Sequence, residues 1–167
     1  KNIAGPAFSP DGRYLYYSQD MTAGVLWKYN KDSGKGIFAI RRLDRETQQT
    51  DTYVSGPGGA VRPMPSPDGR YLAFVKRQVN MKSALYIKEI KSGNEWPLYD
   101  QLSQDQQESH GTHGNYPAYA WTPDSQALVI WAQGKFHRVN LEDKTASVIP
   151  VHIKTTRKVR KALRFPV

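Results

Sequence analysis

Few residues of this chain have a type and spacing that could do chemistry. The tightest cluster is His110-Gly111-Thr112-His113-Gly114. Two imidazoles three residues apart could share a metal, because a neutral ring nitrogen is a ligand for zinc, copper or nickel. On metalloprotease helices such a pair is written His-Glu-x-x-His, with the Glu as general base. Here glycines flank the pair, no third ligand follows, and Glu108 is the nearest acid. His110 and His113 therefore stand as candidate metal ligands on a polar loop, with no metal assigned. His137 and His152 fall in runs that read as strands, where a polar structural role is the expectation. A second cluster is Trp27-Lys28-Tyr29. Such an aromatic–basic trio either caps a sheet or grips a ligand by stacking and cation–π contact. Trp27, Tyr29, His110 and His113 form the predicted binding set.

Other chemistries fail on spacing. Asp32-Ser33-Gly34-Lys35-Gly36 lacks the leading Gly and the strand-to-helix setting of a nucleophile elbow. The chain has no Cys, hence no thiolate, disulfide or thiolate zinc site. Neither a Walker loop nor a dinucleotide fingerprint occurs. No catalytic residue and no cofactor are predicted. Asp11, Asp68 and Asp124 recur at equivalent positions, which suits a repeated turn better than three identical acid–base sites.

Charge narrows the partners. The 167 residues hold 24 Lys+Arg against 15 Asp+Glu, a formal +9. Lys154, Arg157, Lys158, Arg160, Lys161 and Arg164 all lie in residues 151–167, which contain no acid. The body is thus nearly balanced, and the tail has no aromatic platform, so no nucleic-acid partner is expected. No run approaches the ~18 apolar residues of a spanning helix, so the chain is read as soluble, without membrane insertion. It opens Lys1-Asn2-Ile3, without Met or an apolar leader, and reads as a segment of something longer.

What must position these residues is a repeat. Phe8-Ser9-Pro10-Asp11-Gly12-Arg13-Tyr14-Leu15 recurs as Pro65-Ser66-Pro67-Asp68-Gly69-Arg70-Tyr71-Leu72, and again as Trp121-Thr122-Pro123-Asp124-Ser125-Gln126-Ala127-Leu128. Ser9 to Ser66 is 57 residues and Ser66 to Thr122 is 56. Pro presets φ for a turn, Asp bonds its own backbone two residues on, and Gly accepts positive φ. A β-forming run follows at once, so each copy is a hairpin turn entering a strand. A third strand follows each (37–43, 84–90, 134–141), then a polar turn and a short outer strand (50–54, 95–98, 146–149). Another strand precedes each turn (2–8, 60–64, 116–121). Four strands, three times, without helical periodicity, predict an all-β chain of three four-stranded antiparallel units. The units span about 1–55, 56–99 and 116–150, and residues 151–167 form a basic connecting strand or tail.

Internal spacing locates two insertions. Ser9 to Leu43 is 34 residues, where Ser66 to Ile90 is 24 and Thr122 to Leu141 is 19. Residues 21–36 are therefore extra. Leu43 to Ser66 is 23 residues but Ile90 to Thr122 is 32, which places a second insertion at 101–115. In an up-and-down sheet both insertions leave from one edge and the Pro-Asp turns from the other. Variable loops over a rigid scaffold carry function, so the insertion edge is the expected functional face.

The turn Ser-Pro-Asp-Gly-Arg and the strand after it resemble the PD40, or TolB-like, β-propeller repeat, over residues up to about Pro150. The resemblance implies a partial propeller of three blades. Closed propellers typically have 4–8 blades, each covering its neighbours' faces. The expected partners are thus the remainder of a parent chain or a second copy, with a protein or peptide as the possible ligand. PD40 repeats occur in TolB, in propellers of prolyl-oligopeptidase-type serine peptidases, and beside amidohydrolase domains. The tail Leu163-Arg164-Phe165-Pro166-Val167 is similar to a stretch that follows the repeats in the amidohydrolase-linked group. The resemblance implies a non-catalytic interaction or substrate-gating module of a larger, hydrolase-like protein, exported or periplasmic. The alternatives it leaves are a TolB-type periplasmic binding protein and the propeller of a serine peptidase. No catalytic residue carries over, since the amidohydrolase His-x-His is absent.

Overall fold

The computed structural model describes residues 3–22, 37–78, 82–102 and 118–159. Twelve strands form three four-stranded antiparallel sheets, and no helix occurs among the described residues. The first sheet holds β1 (Ile3–Phe8), β2 (Tyr14–Asp20), β3 (Phe38–Asp44) and β4 (Thr50–Val54) in sequence order. The second holds β5 (Val61–Pro65), β6 (Tyr71–Arg77), β7 (Ser83–Glu89) and β8 (Glu95–Tyr99). The third holds β9 (Tyr119–Trp121), β10 (Ala127–Ala132), β11 (Lys135–Asn140) and β12 (Ala146–Ile149). The expected fold class is the one observed.

The Pro-Asp turns set the register of each sheet. In the first, Ser9 N–H donates to the Tyr14 carbonyl at 2.9 Å, and Tyr14 N–H donates back to Ser9 Oγ at 2.8 Å. Asp11 Oδ1 accepts from Arg13 N–H at 3.0 Å. The same bonds recur at Ser66, Asp68 and Tyr71 and at Thr122, Asp124 and Ala127. Gly12 and Gly69 both have φ 72° there, and Ser125 takes the same turn at φ 60°. That conformation is strained for a residue with a Cβ. Ser125 has a compensation: its Oγ accepts from Asp68 N–H of the preceding sheet at 3.0 Å. Each Pro-Asp turn is also tied to the start of the next turn of its own sheet, by Arg45 N–H to Arg13 O, Ile90 N–H to Arg70 O and Leu141 N–H to Gln126 O.

Period-two alternation places two apolar faces on each sheet, and the sheets stack through them. Tyr16, Ile40 and Val54 of the first meet Leu72 and Phe74 of the second, with Tyr14, Tyr53 and Tyr86 packed beside them. Ala73, Val75, Leu85, Ile87 and Leu98 on the other side of the second sheet meet Tyr119, Leu128, Ile130 and Val139 of the third. Leu72, Phe74, Leu85, Ile87 and Leu128 are wholly buried, each worth roughly 1.5–3 kcal/mol of transfer free energy. Hydrogen bonds stitch the innermost strands. Arg62 N–H donates to Ser18 Oγ at 2.9 Å, Trp121 Nε1 to the Met64 carbonyl at 2.9 Å, and the Tyr119 hydroxyl to the Arg62 carbonyl. The last two bonds span 57 residues, one repeat.

Among the described residues no further sheet covers the outward faces of the stack. Ile3 and Phe8 of the first sheet are 59% and 57% exposed, and Trp131 and Phe136 of the third are 44% and 43% exposed. Trp131 pairs with Phe136 across β10 and β11, so both rings stand on one side. Residues 151–159 follow β12 without a strand, and Val151, Ile153 and Val159 are exposed. A segment past the outermost strand meets no ladder partner among the described residues, so its β-forming composition alone does not make a strand. His152 accordingly lies in exposed, unpaired chain rather than on a strand.

Candidate functional site

The predicted binding set, Trp27, Tyr29, His110 and His113, lies outside the described residues. The sites where the two insertions leave and rejoin the sheets are described. Met21 N–H donates to the Ile37 carbonyl at 2.9 Å beside the Asp20–Phe38 pair. That is the far end of the β2–β3 ladder from the Tyr14–Asp44 pair and the Pro-Asp turn. The second insertion starts after Tyr99, which pairs with Leu85, and its Gln101 carbonyl accepts from Gln133 Nε2 at 3.2 Å. Gln133 sits in the β10–β11 turn, again at the edge away from the Pro-Asp turns. His137 is on β11, its ring 5.8 Å from Tyr99 and its Nε2 3.2 Å from the Ala132 carbonyl oxygen, a satisfied seam residue. Among the described residues no three His, Cys, Asp or Glu are placed to hold a metal ion.

The turn edge carries features that motif spacing did not reveal. Between the second and third sheets runs a groove of about 590 Å³, lined by Asp68, Arg70, Tyr71, Trp96, Asp124 and Glu142 among others. Tyr71 from β6 meets Trp96 from β8 edge-on at 6.1 Å and stacks on Trp121 from β9 at 6.3 Å. The first seam has a smaller groove of about 340 Å³, with Pro10, Tyr14, Tyr16 and Ile90 in its walls. There Arg13 is fixed by ion pairs to Asp44 at 2.9 Å and Glu46 at 3.3 Å.

The turn carboxyls are held below their ordinary range. The Ser9 hydroxyl and then the Arg13 amide depress Asp11, and the Thr122 hydroxyl and then the Gln126 amide depress Asp124. For Asp68, burial pushes upward but is outweighed by the Ser66 hydroxyl and the Arg70 amide. A carboxyl whose folded pKa lies below its unfolded value favours folding above the unfolded value, and that contribution fades as pH falls through the folded one. The melting temperature should therefore stay level from neutral pH to about pH 4 and drop below it. Replacing Asp11, Asp68 and Asp124 together by Asn should flatten part of that acid slope in circular-dichroism melts. An unchanged slope would show that these bonds do not distinguish the folded state.

No family model and no curated protein matches the chain. Solved structures do. TolB from Acinetobacter baumannii aligns with a TM-score of 0.64 at 19% identity, over 88% of this chain and 32% of that one. A putative TolB from Agrobacterium tumefaciens gives 0.61 at 14% identity, over 89% and 49%. The β-propeller domain of the Trilobed protease from Pyrococcus furiosus gives 0.59 at 14%, over 89% and 42%. The three sheets are β-propeller blades. The chain spans between a third and a half of the length of those structures.

The blade frame explains the two edges. Strands β1, β5 and β9 are the inner strands, since the stitching bonds from Arg62, Tyr119 and Trp121 all fall on them or on adjacent β2. The grooves lie between neighbouring blades on the Pro-Asp edge, and both insertions emerge on the opposite edge. Sequence reasoning treated the three Asp residues as turn formers only. The one sequence signal of the larger groove was a pair of aromatics beside turns, Tyr71 at the start of β6 and Trp96 near the start of β8.

Proposed function

We propose that the chain is a non-catalytic, TolB-like propeller segment acting as an interaction or substrate-gating module of a larger, exported protein. The observation that supports it is the pair of end faces that no sheet covers among the described residues. Faces of the same repeat position are closed by Tyr16, Phe74 and Leu85 inside the stack but present Phe8 and Trp131 to solvent at its ends. Exposed apolar rings on a sheet face mark a surface built to be covered. Purified by itself, the chain is expected to cover those faces with a second copy. The resemblance of the turns to PD40 repeats supports the exported or periplasmic setting. The similar structures include TolB proteins as well as a protease propeller domain, so a TolB-type binding protein stays the alternative to a hydrolase-linked propeller.

Light scattering on the purified chain tests this. A species of at least twice the 18.9 kDa chain mass is expected, and Trp131→Glu with Phe136→Glu should return it to monomer while retaining the strand signal. A wild-type monomer at high concentration that binds no apolar dye would overturn the reading.

A further inference from the structure

The groove between the second and third blades has a chemistry that packing alone does not require. We propose that it binds the basic side chains, guanidinium or ammonium, of a partner polypeptide.

Charge is the first support. Asp68, Asp124 and Glu142 line the groove, and among the described lining residues Arg70 is the one cation, on a chain whose formal charge is +9; Arg138 acts on Asp124 from outside the lining. A negative concavity on a positive molecule selects a cation and concentrates it. The turn bonds described for Asp124 fall on Oδ1, which leaves its Oδ2 to a ligand, while the Asp68 carboxyl is shared with the Ser125 hydroxyl of the third blade. The acids are not gathered around one point, and no metal-holding group of three exists among the described residues. Dispersed carboxylates suit an extended organic cation with several N–H donors rather than a single ion.

The wall is the second. Tyr71 and Trp96 give the groove an aromatic side, with Trp121 stacked behind Tyr71, and an aromatic face attracts a guanidinium or ammonium group. One guanidinium already uses it: Arg70 lies 5.0 Å over the Tyr71 ring and bonds the Tyr71 hydroxyl at 3.1 Å. Its repeat counterpart Arg13 is tied by two ion pairs in the blade-one turns. Arg70 has no such pair among the described residues and is exposed, so it can yield its place to an incoming cation. The floor is also fixed, because Ser125 locks the Asp68 turn to the third blade across the seam.

The test is a titration of the isotope-labelled chain with the peptide acetyl-Gly-Arg-Gly-Arg-Gly-amide, followed by amide and indole N–H resonances. Shifts should concentrate on the Trp96 indole and the Ser125 amide, and weaken at about 0.5 M salt, where the Debye length falls to roughly 4 Å. Asp124→Asn with Glu142→Gln should weaken binding by roughly five-fold or more. Asn keeps the Oδ1 acceptor of the turn, and unmoved Val75 and Leu85 resonances show that the blades remain intact. A matched Glu peptide should give no response. The proposal fails if the Arg peptide gives none at millimolar concentration, if the Glu peptide binds equally, or if the double variant binds unchanged. Equal affinity for free arginine amide would make this a small-cation site and also overturn it. Light scattering of the same samples scores the assembly reading separately, so either can fail alone.

Discussion

Replacing Phe74 by Ala should lower the unfolding free energy by about 3–5 kcal/mol. The Phe74 ring has 0% exposure and stacks on Tyr86 at 5.8 Å, in the cluster with Tyr16, Ile40, Val54 and Leu72 that joins the first two blades. Truncation removes the largest apolar surface of that seam and leaves a void bounded by two sheets, neither of which can collapse without breaking its ladder. Domains of this size are stable by roughly 5–15 kcal/mol, so the loss would approach the whole margin. Phe74→Leu, which keeps most of the volume, should cost about 1.5 kcal/mol or less. Urea denaturation of the three proteins checks this. A deficit below about 1 kcal/mol for Ala would mean that the seam is held elsewhere.

The second large effect is expected at Gly58, where the link between the first two blades passes the end of β6. Its φ is +85°, and a Cβ built there would stand 2.0 Å from the Arg77 carbonyl oxygen and 3.1 Å from its carbon. The two backbones are also bonded, Arg77 N–H to the Gly58 carbonyl at 3.1 Å. Gly58→Ala must therefore push the link off the strand, losing that bond and straining φ, for about 3 kcal/mol or more. Gly93 is the control: its φ is +76°, but nothing lies within 4 Å of its added Cβ. Gly93→Ala should cost only the backbone preference, roughly 1 kcal/mol. Equal losses at the two sites, measured by thermal unfolding, would remove the close approach from the explanation.

These two sites show where sequence reading reaches and where it stops. The Ser-Pro-Asp-Gly turns were legible because their bonds run between residues at most five apart, Ser9 to Tyr14 or Asp11 to Arg13. Even the third copy, with Ser125 in place of Gly, keeps the geometry, through a seam bond that no local pattern announces. Strand ends moved by a residue or two. Asp44 extends β3 because it pairs with Tyr14, although its polarity reads as turn. The partner of each face was not legible: nothing local to Phe74 says that it meets Tyr16 rather than Val75's neighbours. The groove escaped for the same reason, since Tyr71 and Trp96 of one blade face Asp124 and Glu142 of the next only when two blades dock. Of the predicted site, Trp27, Tyr29, His110 and His113 fall in the inserted loops, where neither period nor turn chemistry constrains the chain.

Each blade is woven from one uninterrupted stretch, in the order β1-β2-β3-β4, β5-β6-β7-β8 and β9 to β12. No strand is lent to a neighbouring sheet among the described residues. The consequence is genealogical as much as mechanical. A stretch of such a gene can be copied or deleted whole without rethreading any ladder, provided that the new seam repeats the old contacts. The 57-residue offset shared by the Tyr119–Arg62, Trp121–Met64 and Asp68–Ser125 bonds is the constant that such copying must preserve. The two insertions, 21–36 and 101–115, attach at the edge away from the Pro-Asp turns, so a change in their length leaves the turn bonds in place. A lineage built this way can therefore change what its rim meets while inheriting its seams unaltered.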